Sequence, residues 1–200
     1  MSLTLLKENL EKLGYTAHLF ENRREAADYL DAAIDQRRVG MGGSITLKEL
    51  QLAPRLAAHN ELIWHWEPTE GRTVPEMLAA AAEADVYLSS VNAIAETGEI
   101  VNIDGNCNRV SSILYGHEAV YLVIGRQKVA ATLEEALLRA KNVAAPKNAA
   151  RLERHTPCVT AGRCMNCSSP ERICRATVIM DRPPRGPHYE ILLINEELGY

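Results

Sequence analysis

The chain has 200 residues, 46% of them hydrophobic and 24% charged, with a formal net charge of −4 and a pI near 5.9. That balance suits a globular domain with a sizeable apolar core. Aromatics are only 5% and no basic run stands out, which argues against a nucleic-acid surface.

The amino-terminal stretch MSLTLLKENLEKLGY carries charges every few residues and lacks the ~7–15-residue apolar segment of a signal peptide. Nothing approaches the ~20 apolar residues of a membrane span, so a cytoplasmic protein is expected. In that compartment the five cysteines are read as metal ligands, catalytic groups or core filler before disulfides.

Leu3, Leu6, Leu10 and Leu13 mark one face of a first helix. A short extended run follows at 16–20, then a helix over 22–34 with Asn22 as its cap and Ala26, Leu30 and Ile34 on one stripe. Strands are expected at 38–41, 62–66, 85–90, 98–103 and 119–125, and helices at 74–83 and 109–114. The run AVYLVIG at 119–125 is the most apolar and belongs at the centre of a parallel sheet. Thr132 and Glu135 predict a capping box opening a helix to Val143, which ends before Pro146. Extended runs at 177–180 and 190–194 read as a late hairpin-like pair. The expected whole is one α/β domain over 1–200, a mainly parallel sheet with helices on both faces.

Three segments carry chemistry. The first is VGMGGSITLKEL, 39–50, a strand running into a glycine turn and a helix. Gly42 and Gly43 let backbone approach a ligand closely, the helix start offers N–H groups, and Ser44, Thr46 and Lys48 add donors and charge. A phosphate or carboxylate fits there; a plain tight turn is the equal alternative, since the spacing matches neither common nucleotide fingerprint.

The second is SSVNAIAETGEIVNIDGNCNRVSS, 89–112. Its short polar residues suit tight turns. Glu96 and Arg109, near strand ends, are also candidates for an acid/base and an anion clamp, with Asn106 as a ligand contact. Cys107 reads as a partly buried loop residue, a reactive thiol being the lesser alternative. His65, between Trp64 and Trp66, is expected to point away from both, as a solvent-side or satisfied histidine.

The third is the segment 155–175, where Cys158, Cys164, Cys167 and Cys174 fall close together. Four thiolates so spaced suit a 4Fe–4S cluster or, as the alternative, tetrahedral zinc; free thiols or later disulfides remain open. Arg163, Arg172 and Arg175 would offset thiolate charge. His155 is a weaker candidate ligand, and Pro170 suggests a helix start placing Cys174 on a short helix.

The strings GMGGSITLKEL, AIAETGEIVNIDGNCNR, VIGRQKVAATLEEALLRAKNVAAPKNAAR and CVTAGRCMNCSSPERIC, in that order, resemble the LUD-domain (lactate-utilization) family. The resemblance implies a fold similar to the sugar-phosphate isomerase and CoA-transferase superfamily. It implies a redox-associated accessory or enzyme subunit of small hydroxy-acid metabolism, beside iron–sulfur oxidoreductase partners, with a homo-oligomer also admitted. It likens GMGGS to a loop holding phosphate or CoA, and leaves Glu96 and Arg109 without an established role. The alternatives are a non-redox CoA-transferase or phosphosugar-isomerase-type enzyme using the glycine loop and Glu96, and a non-catalytic assembly module.

Overall fold

In the computed structural model of the chain, which describes residues 2–68 and 70–200, the alternating periods become alternating elements. They run α1 (Leu3–Leu13), β1 (Thr16–Phe20), α2 (Arg23–Ala33), β2 (Arg38–Met41), α3 (Ile45–Glu49), α4 (Ala53–Leu56), β3 (Glu61–Trp64) and α5 (Val74–Ala82). Next come β4 (Val86–Ser90), β5 (Ala93–Ala95), β6 (Ile100–Asp104), α6 (Asn108–Leu114), β7 (Ala119–Gly125), a 3₁₀ turn (Arg126–Lys128) and β8 (Val129–Ala130). The last part holds α7 (Leu133–Arg139), a π turn (Ala140–Ala144), α8 (Ala145–Arg151), α9 (Pro157–Ala161), β9 (Ala176–Met180) and β10 (His188–Ile194). Local chemistry sets several starts: the Asn22 side chain accepts from the Glu25 N–H, and Thr73 with Glu76 makes a reciprocal capping box at α5. At α7 the Thr132 hydroxyl caps as expected, but the Glu135 carboxylate reaches the Ala131 N–H instead of closing the box.

Six strands form an all-parallel sheet in the order β1-β10-β7-β4-β2-β3. Its central strands alternate between two cores. Tyr121, Val123, Leu192 and Ile194 face α2 and α4 through Leu30, Ile34, Leu52 and Leu56. Val120, Leu122, Ile191 and Leu193 face Leu6 and Leu10 of α1 and Ile113 of α6. A strand apolar on both sides belongs between helical layers, which explains the central place of β7 and β10.

A second sheet, β8-β5-β6-β9, packs Ile94, Ile100, Val129 and Met180 into that second core. Its other face meets Ala136, Ala140 and Ala145 of the long helical segment. The expected pair at 177–180 and 190–194 is therefore corrected. β9 pairs antiparallel with β6, while β10 crosses to the main sheet and lies parallel between β1 and β7. The Pro- and Gly-rich link 181–187 carries the chain between sheets rather than around a hairpin. The helix expected to stop before Pro146 also continues to Arg151: the π turn widens the winding just ahead of the proline, which then occupies the first turn of α8.

Gly40 lets α5 close on β2. A Cβ there would lie 2.5 Å from the Ala81 carbonyl oxygen and 3.1 Å from the Tyr87 ring. Because the obstacle is backbone, Gly40→Ala is expected to destabilise the protein by about 2 kcal/mol, measured as a lower urea midpoint at unchanged slope.

Candidate functional site

β2, β4 and β6 bring their carboxyl ends to one cavity of about 350 Å³, the place where open parallel sheets gather ligands. Gly43, Ser44 and Thr46 form one wall, Ser90 to Asn92 another, and Asp104 to Arg109 a third. His65, Trp66, Lys128, Arg151 and Tyr200 complete it.

The glycine loop lies close to its surroundings. The Gly42 N–H donates to the Leu88 carbonyl at 2.9 Å, and its own carbonyl accepts from Trp64 Nε1 at 3.2 Å. A Cβ on Gly42 would come within 2.9 Å of the Tyr87 hydroxyl, and one on Gly43 within 3.0 Å of Trp66 Nε1. Gly42 thus braces the loop from beneath, while Gly43 faces the cavity. The helix after the loop has only five residues, and the Ser44 side chain caps it by accepting from the Leu47 N–H at 3.3 Å. That cap takes one of the N–H groups expected at the helix start. Lys48 is exposed and outside the cavity.

Lys128 is the group that the sequence reading passed over. It is 3% exposed, and its Nζ donates to Thr46 Oγ1 at 2.7 Å, Ser90 Oγ at 2.9 Å and the Val91 carbonyl at 3.2 Å. Both hydroxyls give their own protons to carbonyls, Thr46 to Leu198 and Ser90 to Val123. They are thus fixed as acceptors for the amine. Burial, with the charges of Arg139 and Arg109, pushes the Lys128 pKa down to about 7. The only local clue in the sequence was a lysine three residues after the most apolar strand.

Arg109 lines the cavity, yet four of its five N–H donors are engaged. Nη1 bonds the Ser90 carbonyl at 3.1 Å and Asn102 Oδ1; Nη2 bonds Asn92 Oδ1 at 3.2 Å and the Ile103 carbonyl at 2.8 Å. Its Nε stands 3.9 Å from Asp104 Oδ2, and the Asp104 carboxylate in turn accepts from the Asn106, Cys107 and Val110 N–H groups. This geometry fits a tie between β4 and β6 better than a clamp on a ligand. Asn106 is exposed at the cavity edge. Cys107 holds a left-handed conformation, φ 62°, at the start of α6.

Glu96, the acid/base candidate, does not reach this cavity, which Gly43 and Arg109 line without it. It follows β5 rather than β4, and that extra strand carries it about 10 Å farther on. There its carboxylate accepts from the Ser2 N–H at 2.7 Å and its carbonyl from Asn9 at 2.8 Å.

One further residue was read differently in the sequence. β3 ends at Trp64, so His65 leaves strand alternation and lines the cavity with a buried Nδ1 that has no partner among the described residues. Burial and the charge of Arg151 hold its pKa below the usual histidine value. Arg151 lies 4.8 Å over the Trp66 ring and bonds Asn148 and Tyr200 through Nε.

The cysteine segment does not gather as expected. Among the described residues no group of three or more His, Cys, Asp or Glu side chains is arranged to hold a metal ion, and all the cysteines are free and partly buried. Cys158 lies on α9, where its sulfur meets Thr156 Oγ1, and Cys164 Sγ accepts from the Asn166 N–H. Arg172 sits among Cys164, Cys167 and Cys174, which raise its pKa, while its guanidinium donates to the Cys167 and Cys174 carbonyls. In this arrangement the four cysteines do not fit a four-thiolate centre. The helix expected at Pro170 is a single turn, and His155 pairs with Glu171.

A family profile described as LUD domain matches residues 3–194. A crystal structure of a DUF162 family protein from Deinococcus radiodurans superposes with a TM-score of 0.54 at 14% identity, over 96% of each chain; at that identity the likeness establishes the fold alone. No curated protein matches the sequence. No helix among the described residues is long and apolar enough to cross a membrane.

The depressed Lys128 pKa means that the unfolded chain holds a proton that the folded chain releases between about pH 7 and the ordinary lysine value. Stability of the wild type relative to Lys128→Met is therefore expected to rise with pH above 7, by at most about 1.4 kcal/mol per unit. Urea titrations at neutral and alkaline pH measure it. Arg109→Met strands four acceptors and is expected to cost about 3 kcal/mol or more, read by the same titration.

Proposed function

The chain belongs to the LUD-domain family, and on that premise we propose that it holds a small anionic metabolite, a lactate-type carboxylate, in the cavity between the glycine loop and α8. One observation carries the reading: Lys128 is buried at that cavity with no carboxylate among its hydrogen-bond partners in the described residues. A buried cation without a counter-ion costs several kcal/mol, a penalty that an anionic ligand would offset. Among the described residues Asp104 is the one carboxylate side chain lining the cavity, and it already serves Arg109 and three N–H groups. Lys128, Arg109, Arg151 and Arg154 make the remaining charge positive.

In this reading Arg151 meets the carboxylate at the mouth, held by Trp66, Asn148 and Tyr200. The Ser44 hydroxyl, which only accepts from the helix, keeps its proton for the ligand. His65, held neutral by burial, lines the same cavity. The chain would act beside iron–sulfur oxidoreductase subunits, as its family resemblance implies, and no step is assigned to its own cysteines. The alternative of a transferase or isomerase with Glu96 as nucleophile loses its nucleophile, since that carboxylate lies against α1.

Thermal-shift and calorimetric titrations with lactate, inorganic phosphate, CoA and sugar phosphates test the reading. Lactate is expected to stabilise the wild type. Arg151→Ala, which removes an exposed group, should weaken binding about tenfold, equivalent to ~1.4 kcal/mol, while Glu96→Gln should leave it unchanged. Stabilisation by CoA or sugar phosphates without lactate would overturn the lactate reading.

A further inference from the structure

We propose that Lys128 is a carbonyl-capturing amine, forming an imine with a small aldehyde or ketone that carries an anionic group. The inference rests on the anion-binding reading of the same cavity and adds the class of ligand chemistry. The chain has six lysines; Lys7, Lys12, Lys48, Lys141 and Lys147 are partly or fully exposed, and only Lys128 is buried. Its position is exact, since three acceptors from α3 and the end of β4 fix Nζ where the cavity begins. Gly199 passes beside it with no side chain: a Cβ there would stand 3.3 Å from Nζ and 2.4 Å from Thr46 Oγ1.

Burial and the neighbouring cations act toward the neutral, nucleophilic amine, against three acceptors that favour the ammonium. Arg139 of α7 and Arg109 of α6 are the charged groups acting against the ammonium. Glu49 of α3 is the one acidic group acting for it, and its carboxylate is engaged by the Gly199 N–H at 2.7 Å. A lysine desolvated and set beside other cations is the usual activated amine of imine-forming sites, and the depressed pKa agrees with that geometry.

The step balances within the cavity. The Nζ lone pair adds to the carbonyl carbon, and one amine proton passes to the oxygen to give a carbinolamine. The second amine proton leaves with that oxygen as water, and a carbon–nitrogen double bond remains. The Thr46 and Ser90 hydroxyls at Nζ are the groups available to relay those protons, each turning its own proton from its carbonyl as it accepts one from the amine. Arg151 and Arg154 would hold the anionic end. A ligand satisfying both ends is a 2-oxo acid or a phosphorylated carbonyl compound, which share this chemistry.

The test is reductive trapping. The full chain is incubated with sodium cyanoborohydride and pyruvate in one arm, dihydroxyacetone phosphate in the other, followed by intact mass and peptide mapping. One adduct per chain, on the peptide holding Lys128, is expected in at least one arm. It should be stronger at about pH 8 than at about pH 6, suppressed by lactate or phosphate, and lost in Lys128→Arg. The arm that labels distinguishes an oxo acid from a phosphorylated carbonyl. Absence of an adduct, or labelling scattered over Lys12, Lys48, Lys141 and Lys147, would overturn the proposal. If lactate still stabilises the protein in that case, the anion-binding reading stands and only the imine falls.

Discussion

Two cations, buried Lys128 and largely buried Arg109, hold the carboxyl end of β4, and the site is arranged around that constraint. Ser90 is the shared anchor: its carbonyl accepts from Arg109 and its hydroxyl from Lys128. Arg109 draws in Asn102 and Ile103 of β6, and Lys128 draws in Thr46 of α3. A charge taken from water is tolerated only when its donors are satisfied, so these bonds force the main sheet, the small sheet and the glycine loop to end together. The cavity is what remains where they meet.

The two cations solve their burial differently. Arg109 uses a fork of fixed donors against carbonyls and amides, with Asp104 nearby, so that both of its terminal nitrogens are engaged. Lys128 has a single nitrogen with neutral acceptors only, so its charge is the less settled of the two. That asymmetry assigns one cation to architecture and the other to chemistry.

The opposite end of the sheet shows the complementary arrangement. Glu190, 7% exposed at the start of β10, accepts from Tyr29 at 2.7 Å and pairs with His18 at 3.2 Å and His188 at 3.0 Å. There a buried carboxylate is fully partnered and binds β1, β10 and α2 together. The amino edge of the sheet is thus closed by an acidic knot, while the carboxyl edge is left positive beside a cavity.

Much of the architecture is legible in the residues. Periodicity locates most helices and strands because each buries one stripe or alternate faces, and short caps such as Asn22 and Thr73 act within a few residues. The parallel sheet follows from AVYLVIG, apolar at every position. Gly43, Ser44, Thr46 and Arg109 were likewise found beside the cavity because a strand-to-loop junction brings them there with little help from elsewhere. Other features depend on distant partners. β10 joins the main sheet because its apolar faces fit between β1 and β7, which no feature of 188–194 alone reveals. Lys128 reads as one more charged residue until α3 and β4 enclose it, and Glu96 reads as catalytic until β5 turns it toward α1. The four cysteines are near in sequence, yet the path of the chain between them, with Arg172 among three of the thiols, decides that they do not converge. Sequence by itself determined the elements and the family, through forces acting within one turn or strand; tertiary structure alone decided the site, because burial and charge at Lys128 are set by residues up to 82 positions away.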